Sequence, residues 1–131
     1  MKQVLAAYLV AGVTLLVVDL VWLAYIARDL YRREMGALLA ENVRLVPAAA
    51  FYLMYVAAIV YFAVLPALRS GQWTDAILPG AVLGLVAYGT YDLTALAVVR
   101  DWPVRLSFID MAWGTVLTAV SAGVAAYAVV R

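Results

Sequence analysis

Four apolar stretches, at about residues 4–27, 46–68, 76–99 and 106–130, leave this chain little choice of fold. A bilayer core takes about 20 apolar residues per helix. Inside it every backbone N–H and C=O must be satisfied within the segment, so such stretches are helices. Composition agrees: 69% of the residues are hydrophobic and 13% charged, against about half and a quarter in soluble domains. The first stretch follows Lys2 as a signal peptide would. Val4 to Ala27 is longer than a signal core, however, and no small-residue cleavage pattern follows, so it reads as a first span. Short connections favour an up-down antiparallel bundle. The expectation is therefore all-α, one transmembrane domain over residues 1–131, with Trp73 and Trp102 as interface aromatics at span edges.

Basic residues orient the bundle. Arg28, Arg32, Arg33, Arg44, Arg100 and Arg105 fall on one side, and Lys2, Arg69 and Arg131 on the other. The richer side is expected to be cytoplasmic, which puts both termini in the periplasm. The connection between spans one and two carries its own pattern. Tyr31, Met35, Leu38, Leu39 and Val46 keep helical spacing among Arg32, Arg33, Glu41 and Arg44, as in a short amphipathic helix on the inner membrane surface. A weak internal repeat is also visible. Asp19-Leu20, Leu23-Ala24 and Arg28-Asp29 parallel Asp92-Leu93, Leu96-Ala97 and Arg100-Asp101, as two related two-helix halves would.

Chemistry can reside in few places. The chain has no cysteine and no histidine, which excludes disulfides, thiol nucleophiles, haem axial histidines and histidine-rich zinc sites. A net charge of +1 argues against nucleic acid as a partner. What remains is three carboxylates inside spans: Asp19, Asp92 and Asp110. At about 1.5 Å per residue they lie roughly 12, 10 and 7 Å from the cytoplasmic ends of their spans, in one layer. A charged side chain at a helix centre costs about 2.5–3.5 kcal/mol on insertion scales, so something must compensate them. No lysine or arginine lies deep in a span. Crowded like charges in a low dielectric cannot all stay ionised at neutral pH unless a cation joins them. Asp19, farthest from the rim, is the first candidate for a proton.

Aromatic groups surround that layer. Trp22 lies one turn from Asp19 and Trp113 one turn from Asp110; Tyr88 and Tyr91 flank Asp92; Tyr52 and Tyr55 reach the same depth on span two. Gly80, Gly84, Tyr88 and Asp92 share a face of span three, and Asp110, Gly114, Thr118 and Ser121 a face of span four. Small residues permit close helix approach, within the bundle or, at Gly80-x-x-x-Gly84, between two copies in a homodimer. Together these residues describe an acidic-aromatic chamber.

The strings Val18-Asp19-Leu20-Val21-Trp22-Leu23, Phe51-Tyr52-Leu53-Met54-Tyr55, Thr90-Tyr91-Asp92-Leu93-Thr94 and Ile109-Asp110-Met111-Ala112-Trp113-Gly114, in this order over nearly the whole chain, resemble a bacterial family of membrane proteins catalogued as domain of unknown function 2177. The resemblance implies a small four-helix inner-membrane protein and carries over no catalytic role. It also brings an association with fatty-acid and lipid-modification gene neighbourhoods.

Three functional classes stay open. Acids bordered by aromatics suit binding or transport of a cationic or amphipathic molecule, by charge and by cation–π contact. A lipid-modifying membrane enzyme, or a subunit of one, would use the acids to hold magnesium or calcium or to shuttle a proton; no catalytic motif accompanies them. In a ligand-free assembly protein the acids would only tie helices together. Cofactors are expected to be none apart from such a hard divalent cation, held by Asp19, Asp92 and Asp110, and membrane lipid is the expected partner.

Overall fold

The computed structural model of the chain describes residues 1–39 and 44–130. Glu41, which belongs to the amphipathic pattern, and Arg131, which belongs to the charge balance, lie outside the described residues. Four helices are long and apolar enough to cross a membrane: α1 (Lys2–Ile26), α3 (Leu45–Ser70), α4 (Trp73–Val98) and α5 (Val104–Val129). Between α1 and α3 runs the short helix α2 (Arg28–Met35), followed by a single 3-10 turn at Gly36–Leu38. The described residues contain no strand.

Element ends follow local chemistry. Pro47 and Pro79 lie in the first turns of their α-helical segments and Pro103 caps α5. These are positions where a missing N–H removes no intrahelical bond. Pro66 comes later in its span and would collide with the carbonyl four residues back. The chain instead widens into a π turn at Val60–Val64 and resumes as α-helix at Leu65. Gly71, at φ 79°, ends α3 in the left-handed conformation that glycine tolerates.

The repeat seen in the sequence does not produce equivalent ends. Span one closes in a π turn, Trp22–Ile26, and re-enters helix at Arg28. Span three stops at Val98, with Val99 extended and Asp101 at φ 61°.

Helix α5 is the most enclosed of the four spans and packs against all the others. Its closest neighbour is α4, because there the side chains vanish. A Cβ on Gly80 would lie 2.9 Å from the Ala122 Cβ, and one on Gly84 would strike the Gly114 carbonyl. The glycine stripe is therefore spent inside the bundle, which removes it as a candidate surface between copies. The core adds Ala7, Ala11 and Leu15 of α1, Val56, Ile59, Val60 and Val64 of α3, and Leu117, Ala122, Ala125 and Ala126 of α5. Large apolar side chains such as Leu5, Val13, Leu78 and Val116 point outward. In water that would be an exposed apolar belt; in a bilayer it is the surface that lipid covers.

Candidate functional site

The site lies where α1, α2, α4 and α5 meet. A cavity of about 160 Å³ is lined by Asp19 and Leu23 of α1, Tyr31 and Met35 of α2, Tyr88, Tyr91 and Asp92 of α4, and Leu106 and Asp110 of α5, with Trp102 from the loop before α5. All three intramembrane acids reach it. None of the lining residues is basic.

Two of the acids are held by a reciprocal arrangement. Helical spacing puts Asp19 and Trp22 one turn apart on α1, and Asp110 and Trp113 one turn apart on α5. The two indoles stack face to face, with ring centroids 4.4 Å apart and planes 8° from parallel. Each then serves the acid of the opposite helix. The Trp113 indole N–H donates to Asp19 Oδ1 at 3.0 Å. The Trp22 N–H reaches the Tyr31 hydroxyl at 3.3 Å, and that hydroxyl donates to Asp110 Oδ1 at 2.7 Å. The chain of contacts runs Asp19, Trp113, Trp22, Tyr31, Asp110 and ties α1, α2 and α5 together. Burial pushes the Tyr31 hydroxyl well above its ordinary ionisation range, and the Asp110 carboxylate acts in the same direction, so it remains a donor at neutral pH.

Asp92 is different. Its side chain is 2% exposed, and its Oδ2 has no hydrogen-bond partner. The Asp110 carboxyl lies within hydrogen-bond reach of it. Depth along the span singles out Asp19, whereas side-chain exposure singles out Asp92: Asp19 is half-buried and Asp92 is buried. Distance along a helix measures depth in the bilayer, but enclosure depends on which face the neighbouring helices cover. Among the described residues no three acidic side chains come close enough together to hold a metal ion.

The aromatic residues divide. Tyr88 and Tyr91 line the cavity, and Tyr91 meets Trp102 edge-on at 5.6 Å. Trp102 thus faces the site, whereas its position at a span edge suggests an interface aromatic. Trp22 and Trp113 flank the cavity and orient Asp19 and Tyr31. Tyr55 is buried; its hydroxyl pairs with Thr118 Oγ1 at 2.6 Å, and its ring meets Tyr88 edge-on at 6.3 Å. Tyr52 turns away and donates to the Gly12 carbonyl, joining α3 to α1.

Sequence reasoning misses Tyr31, Met35, Leu23, Leu106 and Trp102 as lining residues. Tyr31 and Met35 were legible as one face of an amphipathic helix, four residues apart. That face is turned into the bundle end, with Arg32 and Arg33 exposed on the other. The helix stops at Met35, and the four residues of the longer pattern at positions 40–43 lie outside the described residues.

A family profile described as a predicted membrane protein, DUF2177, matches residues 4–127. The chain belongs to that family. No curated protein and no solved structure matches it. Membership in DUF2177 agrees with the four spans, and the matched region contains all three acids and every residue of the contact chain between them.

Proposed function

We propose that this DUF2177 protein binds a small cationic or amphipathic molecule at its intramembrane acids, in an inner membrane, with both termini periplasmic and the site reached from the cytoplasmic half. One observation carries the reading. Asp92 is enclosed, its Oδ2 lacks a hydrogen-bond donor, and the carboxyl it faces is another acid. A pair of carboxyls in such a place is stable with a proton or a cation between them, not with two bare charges. Tyr88, Tyr91 and Trp102 supply ring faces within the same cavity, which suits an organic cation.

The assembly reading has its own support, because the bonds of Asp19 to Trp113 and of Asp110 to Tyr31 do tie helices together. It can use the Asp92–Asp110 hydrogen bond in the same way, but it leaves the buried Asp92 Oδ2 without a partner. The test is titration of the purified protein in lipid nanodiscs with tetramethylammonium, read by tryptophan fluorescence, since Trp22 and Trp113 border the site. A saturable response that is lost in Asp92→Asn and in Asp110→Asn is expected. No saturable response, or Asn variants that titrate like the parent, would rule the reading out in favour of assembly.

A further inference from the structure

A second opening meets the acid cavity from the side. It is a fissure of about 460 Å³, lined by Phe51 of α3, by Ala87, Tyr88, Thr90 and Tyr91 of α4, and by Asp110 of α5. Tyr88, Tyr91 and Asp110 line both spaces, so the two adjoin at these residues. The fissure exists because α3 and α4 pack together around the π turn at Val60–Val64 and then part. The Tyr55 and Tyr88 rings still meet edge-on between the two helices; beyond them Phe51 and Tyr91 are each at least half exposed. Apart from Asp110 and the Thr90 hydroxyl, which bonds the Val86 carbonyl within its own helix, the walls are apolar and aromatic.

We propose that the ligand is a single-chain amphiphilic amine or ammonium ion, with its cationic head between Asp92 and Asp110 and its alkyl tail in the fissure between α3 and α4. The inference rests on the binding reading above and extends it by naming the ligand class and the entry side. Charge complementarity selects the head, because the acids have no basic partner in the lining and Asp92 Oδ2 is unpartnered. Asp110, which lines both spaces, selects the tail's place. A head seated at Asp110 has its substituent directed past Tyr88 and Tyr91 into a slot that opens on lipid. Such a molecule enters laterally from the bilayer with its chain never leaving apolar surroundings. The fissure then discriminates by shape, since a tail in lipid has no further water to escape.

The experiment compares two cations, tetramethylammonium and dodecyltrimethylammonium, and one uncharged amphiphile, dodecyl maltoside, on the full chain in phosphatidylcholine nanodiscs. Thr90→Phe fills the slot from an outward-facing position that holds no core contact, and Thr90→Leu fills it partly. Partitioning into lipid is the same for parent and variants, so it cancels in the comparison. Thr90→Phe is expected to weaken dodecyltrimethylammonium by about tenfold or more, with Thr90→Leu between it and the parent. The ratio of the two cation affinities should fall accordingly. Parent-like affinity of Thr90→Phe for the tailed cation overturns the tail assignment and leaves the acid site standing. Dodecyl maltoside binding as tightly as dodecyltrimethylammonium overturns the head assignment. A parent protein that responds to neither cation overturns the site itself.

Discussion

Replacing Gly84 by alanine adds one methyl group where two backbones touch. The new Cβ would strike the Gly114 carbonyl oxygen, and it would lie 2.9 Å from that carbonyl carbon and 2.8 Å from Thr118 Oγ1. A rotamer change cannot clear a backbone oxygen, so α4 and α5 must separate. Overpacking of this kind costs about 1–3 kcal/mol. The displaced Thr118 hydroxyl also gives up its 2.6 Å bond to Tyr55, worth about 0.6 and at most about 1.7 kcal/mol inside a membrane. Alanine returns about 1 kcal/mol of helix propensity. The net expectation is a loss of about 0.6–3.7 kcal/mol, from the overpacking and hydrogen-bond costs less the propensity gain. Gly12→Ala is the matched control, because its Cβ would meet nothing nearer than Val56 Cγ1 at 3.7 Å, an ordinary contact. Unfolding titrations in mixed micelles, followed by far-UV circular dichroism, should show Gly84→Ala well below the parent and Gly12→Ala equal to it or above. Equal stability for the two variants would refute the claim that α4 and α5 meet backbone to backbone.

Tyr31→Phe keeps the ring but removes the donor to Asp110 and the acceptor for Trp22; a loss of about 1–2 kcal/mol is expected in the same titration. Burial raises the Tyr31 ionisation above its ordinary value, so this contribution is complete below about pH 10 and fades as pH rises toward the folded value. The gap between parent and Tyr31→Phe should therefore narrow in alkali, and a gap that is constant to high pH would contradict the assignment. Orientation is open to labelling because the chain has no cysteine of its own. With the termini periplasmic, Gln72→Cys should react with an impermeant maleimide added from the periplasmic side and Arg32→Cys should not; the reverse pattern would invert the topology.

The spans were legible because lipid imposes a one-dimensional rule: about 20 apolar residues in a row make a crossing helix wherever they occur. The buried acids were legible for the same reason, since a carboxylate in such a run stands out against its neighbours. The faces of α4 and α5 could also be read, because Gly80, Gly84, Gly114 and Thr118 recur at helical spacing and small residues mark close approach. Partnership was not legible. Nothing in Asp19-x-x-Trp22 or Asp110-x-x-Trp113 indicates that Trp113 bonds Asp19 directly and Trp22 reaches Asp110 through Tyr31, because that exchange depends on the relative rotation of α1 and α5. Tyr31 shows the limit most plainly. Its amphipathic spacing establishes that one face of α2 is apolar but not whether lipid or protein covers that face. The π turn at Trp22–Ile26 precedes α2, whose tyrosine then lies under the bundle end, where it meets Asp110. The enclosure of Asp92 and the parting of α3 from α4 were likewise decided by packing in three dimensions, where residues remote in sequence share a wall.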